Sequence, residues 1–376
     1  MVIKKGKNIK GITVQETNDN SILSKAAVAT FGYFWDPFLP LFTTRVPRRS
    51  PLVHRGYYIR AKTIDHSLRT FIGHYCNDNN NQSNDNLTTI QIISLGAGFD
   101  TSYFRLKELG LLKRCRFVEI DFPDVVRRKI NIIQRHDVLK DTIGQYNVDP
   151  GNHSLVSDDY VIIPCDLTDL NKLESFMTDD FKVDFDLPTL LFSECVLTYV
   201  DYQQSVDLLQ WVRHKFRHPA VVVYEQVRPD DPFGRIMMRH FEKMQSPLRR
   251  VRKLCNTEKH EEFFTSKPLS YDEATAFDLS HFYTYYLDDE EKRRIVGLEL
   301  FDEFEELHLK CAHYIISAAF AGTSFFCLIS ILSLFVNSCP SCLSHVERHI
   351  FGRFWTTRSI LGNNADETFK NNSTRC

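Results

Sequence analysis

The stretch Gln91–Arg105, QIISLGAGFDTSYFR, constrains this chain more than any other. Ile90, Ile92, Ile93 and Leu95 form a short apolar run that ends on Gly96-Ala97-Gly98 and passes into a helical pattern. Such a run reads as a strand buried in a parallel sheet, with a tight turn leading into a helix. Glycine has no Cβ, so the backbone of that turn lets a ligand come close. The next apolar run, Cys115–Asp121 (CRFVEID), ends on an acid 23 residues past Gly98. An acid about 20 residues beyond a glycine turn suits hydrogen bonding to a ribose diol. GAG lacks the third glycine of the GxGxxG pattern, which weakens a dinucleotide reading. A nucleoside without pyrophosphate, such as S-adenosyl-L-methionine, fits better. A purely structural turn in an α/β sheet is the alternative.

Strand-like runs recur at Ile90–Leu95, Arg116–Ile120, Tyr160–Pro164, Thr189–Ser193 and Ala220–Tyr224. Helical stretches follow the first four, near Thr101–Leu109, Pro123–Arg135, Asp169–Met177 and Tyr202–Lys215. This alternation predicts the α/β class, with a doubly wound, mostly parallel sheet. Ligands of such sheets sit beyond the carboxyl ends of the strands. Those ends carry Gly96 and Gly98, Asp121, Asp166, Glu194, and Tyr224-Glu225-Gln226.

The flanks divide by composition. Residues 1–15 read as a disordered basic tail and 16–85 as a helical cap, with Thr17–Ser21 offering N-caps. The polar run Asn77–Asn86 has nothing to bury. Residues 86–320 form the core, interrupted at about 226–270 by a basic helical insertion over Asp231–Lys253. Met237, Met238 and Phe241 in that insertion read as packing residues. Residues 272–310 are acidic and read as helical, and Cys311–Ala319 as a closing strand. Residues 321–376 form an atypical tail. Tyr314–Val336 holds no charge over 23 residues, but its first third serves the sheet, so a membrane span is not expected.

Charge is uneven although the formal net is only -2. Residues 1–60 hold ten Lys/Arg against three Asp/Glu, and residues 235–260 eight against two. Basic regions of that size can meet phosphates, though a solvated face is the commoner reading. Ten scattered cysteines, and an N-terminus MVIKKGKNIK without an apolar core, lead to an expectation of reduced thiols in the cytoplasm. Cys339-Pro-Ser-Cys342 has only His345 nearby, so no metal is expected. His54, His240 and His313 read as structural.

The stretches HRGYYIRA, SLGAGFDTSYFRLK, VEIDFPDVVRRK, CDLTDL, LLFSECVLTYV and VYEQVRPDDPFGRIM occur in order over roughly residues 15–320. In them the chain resembles the leucine carboxyl methyltransferase family. The resemblance implies a Rossmann-like fold, S-adenosyl-L-methionine as cofactor, and methyl transfer to a carboxylate. One branch of that family methylates the C-terminal leucine of the protein phosphatase 2A catalytic subunit. The other acts on tRNA(Phe) carrying a wybutosine precursor, at the modified guanosine next to the anticodon. NDNSILSKAAVATFGYFWDPF, RRSPLVHRGYYIRA and LFDEFEELHLKCAHYIISAA are more similar to the second branch. That branch implies a kelch β-propeller after the methyltransferase, tied to tRNA handling and to a second, methoxycarbonylating activity. No kelch repeat follows Ala319 in this sequence.

By the same resemblance, Lys25 and Arg60 are expected at the cofactor carboxylate, with Arg55 the lesser alternative to Arg60. Gly96 would be the glycine of close backbone approach and Asp121 the ribose acid. Asp166 and Leu167 would flank the adenine, and Glu194 would lie near the methionine moiety. Tyr199 and Tyr224-Glu225-Gln226 are candidates for the substrate side, and Arg60 and Tyr199 for the catalytic machinery.

Overall fold

The computed structural model describes residues 9–76, 89–181 and 183–322. Nine strands form one sheet: β1 (Ile90–Leu95), β2 (Cys115–Asp121), β3 (Tyr146–Val148), β4 (Leu155–Ser157), β5 (Tyr160–Pro164), β6 (Thr189–Glu194), β7 (Pro219–Gln226), β8 (Glu273–Asp278) and β9 (Tyr314–Phe320). Their order is β3-β4-β5-β2-β1-β6-β7-β9-β8. The five central strands are parallel, and the pairs involving β3, β4, β8 and β9 are antiparallel. Every residue of β1, β5 and β7 is buried, as strands covered by helices on both faces must be. The chain runs outward from β1 through β2 to one side and through β6 to the other. The order therefore reverses between β1 and β6, which is where a doubly wound sheet opens a crevice.

Two long helices, α1 (Ile9–Thr30) and α2 (Pro51–Cys76), form the cap. Two buried acids fasten it to the core. Thr101 Oγ1 donates to Asp36 Oδ2 at 2.6 Å, and Arg105 reaches Asp65 Oδ1 at 2.5 Å. Arg128 also holds Asp19 of α1 at 2.6 Å.

The sequence reading departs from this fold in four places. The helix α1 starts at Ile9, so residues 9–15 are helical and not a disordered tail. Thr17–Ser21 lie inside it rather than capping it. Burial of Ile22, Ala26 and Ala27 against neighbouring elements outweighs the weak local preference of that polar stretch. The hairpin β3–β4 was not expected, because strands of three residues carry no readable period. Strand β8 falls in the segment expected to be helical. It is an edge strand with only Ala276 fully buried, so it shows no apolar run. The insertion is two helices, Pro232–Lys243 and Thr257–Thr265, rather than one continuous segment. Asn77–Asn86 and the Cys339/Cys342/His345 group lie outside the described residues, as does the tail beyond Gly322. Among the described residues no helix is long and apolar enough to cross a membrane.

Candidate active site

One cavity of about 1090 Å³ opens at the carboxyl ends of the central strands. Ligand pockets usually span roughly 300–1,000 Å³, so this one has room for a nucleoside and part of a second molecule. Most of the site residues expected from the sequence line it, Arg55 and Glu225 excepted. Lys25 and Arg60 come from the cap, and Gly96, Asp121, Asp166, Leu167 and Glu194 from strand ends. Tyr199 comes from the turn Leu197–Tyr199. Arg55 does not take part. It is buried with its guanidinium 4.0 Å from the centre of the Phe301 ring.

The glycine turn is held from several sides. The Gly96 and Ala97 amides both donate to Ile120 O, at 2.8 and 3.1 Å. Gly96 has φ +68°, and a Cβ there would lie 2.5 Å from Val196 Cγ1. Gly98 has φ +54°, and its Cβ would lie 2.5 Å from Asn18 Oδ1 of α1. Both positions therefore demand glycine for the fold as well as for any ligand. Asn18 Oδ1 also accepts from the Phe99 amide at 2.9 Å, so α1 closes over the turn.

Asp121 faces the turn. Its carboxylate accepts the Gly98 amide at 2.6 Å and the Phe122 amide at 2.7 Å. Burial raises its pKa to about 6, against the lowering by these two amides and by Lys129. The carboxylate keeps lone pairs toward the cavity, because each oxygen accepts one of these amides and can take more. Past the end of the neighbouring strand β5, Asp166 is fixed by Thr168, whose amide and hydroxyl donate to Oδ1 at 2.9 and 2.8 Å.

Glu194, at the end of β6, gathers the two cap cations. Lys25 Nζ bonds Oε2 at 2.7 Å, and Arg60 Nε bonds Oε1. The three side chains are only 10–14% exposed. Burial works to raise the Glu194 pKa, but the Arg60 and Lys25 charges outweigh it and hold the value at about 2. The Arg60 guanidinium also lies 5.5 Å from the Tyr57 ring centre and 5.2 Å from that of Tyr224. Tyr224 in turn stacks on Tyr314 at 5.6 Å. Such a box keeps a planar cation oriented and partly dehydrated.

The opposite wall is apolar. Helix Pro232–Lys243 turns Phe233, Ile236, Met237, His240 and Phe241 toward the cavity. Met237 and Met238 pack with Leu248 and Val251, as packing residues do, and Tyr199 and Phe241 lie against that group. Asp231 caps the helix by accepting the Gly234 amide at 2.7 Å and also bonds His313 at 2.9 Å. His54 bonds Glu299 at 2.6 Å, away from the cavity. Glu225 points into the protein, where Oε2 lies 3.4 Å from the buried Arg250. Sequence reading missed Asn18 and Lys310, another residue of the cavity wall, because nothing local marks either one.

A doubly wound sheet whose switch-point crevice presents a glycine turn, a β2 acid and a guanidinium–carboxylate cluster defines an S-adenosyl-L-methionine-dependent methyltransferase. The model of one family, Leucine carboxyl methyltransferase, matches residues 23–213. The chain belongs to that family. It is 40% identical over 312 residues to tRNA wybutosine-synthesizing protein 4 of Rattus norvegicus, covering 82% of this chain and 44% of that protein. The Homo sapiens protein of the same name is also 40% identical, over 311 residues, with the same coverage. Leucine carboxyl methyltransferase 1 homolog of Arabidopsis thaliana is 35% identical over 309 residues, covering 81% of this chain and 88% of that protein. The chain thus spans less than half the length of the wybutosine-synthesizing relatives.

Proposed function

We propose that this chain is a carboxyl O-methyltransferase of wybutosine biosynthesis. Its substrate is tRNA(Phe), and it esterifies the α-carboxyl of the aminocarboxypropyl side chain on the modified guanosine next to the anticodon. The observation that carries this reading is the 40% identity to tRNA wybutosine-synthesizing protein 4 over 82% of the chain. The leucine carboxyl methyltransferase 1 proteins reach 31–35% over a similar stretch. A structural feature agrees. Arg235, Arg239 and Lys243 are exposed at i, i+4 and i+8 of the helix that walls the cavity. This one cationic stripe beside the mouth suits a phosphate backbone.

When bound, S-adenosyl-L-methionine supplies an electrophilic sulfonium methyl, so an O–CH3 bond forms as S–CH3 breaks and the electron pair stays on sulfur. The nucleophile is ionised at neutral pH, since carboxyl pKa values lie near 3 to 4, and no general base is required. The chain's work is alignment and exclusion of water, and orientation of this kind accounts for about 7–11 kcal/mol of a barrier. In this reading Asp121 holds the ribose, with Gly96 at the closest backbone approach. Asp166 and Leu167 flank the adenine. Lys25, Arg60 and Glu194 take the amino-acid end of the cofactor, and Tyr199 borders the acceptor.

The runner-up is methylation of the C-terminal leucine of the protein phosphatase 2A catalytic subunit. It is favoured by this chain covering 88% to 94% of leucine carboxyl methyltransferase 1 relatives. Purified protein with tritiated cofactor, offered undermethylated tRNA(Phe) and a phosphatase tail peptide in parallel, separates the two. Alkali-labile tritium in the tRNA alone is the expected result, and label in the peptide alone overturns it.

A further inference from the structure

Lys25 and Arg60 both engage Glu194, but the cavity holds another cation. Lys310, at the end of helix Phe304–Cys311, lines the same cavity. Among the described residues its Nζ has no hydrogen-bond or ion-pair partner. The ionisable groups that act on it are Cys311 and Arg60, neither of them a carboxylate. Burial lowers its pKa, Cys311 opposes this and Arg60 adds to it, and among the described residues no carboxylate answers its charge.

Its placement is specific. The lysine stem lies across Gly56 of α2, where an added Cβ would be 3.0 Å from Nζ, 3.1 Å from Cε and 3.5 Å from Cδ. Gly56 precedes Arg60 by one helical turn, so both cations occupy the same face of α2. The backbone just beyond is anchored as well. His313 Nδ1 meets Leu309 O at 2.8 Å, and Nε2 meets Asp231 at the start of the helix that walls the cavity. A partly buried cation with no carboxylate partner among the described residues, laid across Gly56 and lining the cavity, is built to meet an anion.

We propose that Lys310 receives the carboxylate that is to be methylated, and that the missing side chain at Gly56 makes room for its stem. This rests on the carboxyl-methylation reading and deepens it. Lysine suits the role as a compact point charge, because it can hold one carboxylate oxygen and leave the other free to react.

The test compares wild type with Lys310→Met, Lys310→Arg and Gly56→Ala. Calorimetry with S-adenosylhomocysteine and thermal melting establish that each variant folds and binds cofactor within about twofold of wild type. Lys310→Met is expected to raise KM for the carboxylate substrate roughly tenfold or more, with Lys310→Arg recovering part of the loss. The second readout is binding of the acceptor as free carboxylate and as its methyl ester, with tRNA and tail peptide as separate arms. Wild type should prefer the free carboxylate, and Lys310→Met should lose that preference; Gly56→Ala should fall between them. An unchanged KM and an unchanged preference in Lys310→Met overturn the role of Lys310 while leaving the proposed function intact. A wild type that methylates neither acceptor removes both.

Discussion

Glu194 should stabilise the folded protein chiefly by answering two buried cations, and Glu194→Gln isolates that effect because it keeps the shape and deletes the charge. Holding a carboxyl at about 2 instead of 4.5 corresponds to about 3 kcal/mol in favour of its ionised form. Breaking one partner of a buried pair costs roughly 3–5 kcal/mol in general, so both routes give a loss near 3 kcal/mol at neutral pH. For a domain of this size that is a fall in Tm of roughly 4–6 °C. The sign with pH follows from the depressed value. The stabilisation is complete above about pH 4.5 and is lost as pH falls toward 2. Urea unfolding of both proteins at pH 7 and near pH 3.5 should therefore show the gap narrowing by about 1 kcal/mol at the lower pH. A neutral-pH gap under about 1 kcal/mol, or one that does not narrow on acidification, refutes the reasoning. Adding Lys25→Met to Glu194→Gln should recover part of the loss, because one stranded cation goes with its partner.

Two further outcomes are expected. Asp121 binds ribose as a carboxylate in this account, and burial sets its pKa at about 6. Affinity of wild type for S-adenosylhomocysteine should therefore weaken below about pH 6, and Asp121→Asn should bind about tenfold or more weakly with no such pH dependence; a pH-independent wild type would count against it. Gly98→Ala should destabilise by roughly 1–2 kcal/mol from positive φ alone, with a further penalty where its Cβ meets Asn18. Measured against Asn18→Ala, which itself loses the Phe99 amide bond, Gly98→Ala should cost only the positive-φ part, as urea midpoints of the three variants would reveal.

The readable parts of the fold were those where one local pattern suffices. The buried runs of β1, β2, β5, β6 and β7 are largely apolar, and β2, β6 and β7 end on Asp121, Glu194 and Gln226, which line the cavity. The acids Asp121 and Glu194 were visible for that reason. What could not be read was convergence. That Lys25 and Arg60 meet on Glu194, that Asn18 reaches the glycine turn, and that Lys310 crosses Gly56 are results of packing between distant segments. Strand β8 escaped because EATAFD, half exposed at a sheet edge, lacks the run of apolar residues that marks a central strand. The first turns of α1 escaped because the local propensity of that basic, Gly- and Thr-containing stretch speaks against a helix.

Cocrystallisation with S-adenosylhomocysteine tests the central claim most directly. The account predicts a nucleoside across the ends of β1, β2, β5 and β6, its ribose hydroxyls within hydrogen-bond reach of Asp121 and its amino-acid end at Lys25, Arg60 and Glu194. A nucleoside seated elsewhere, or a ribose turned away from Asp121 in this crevice, would contradict it.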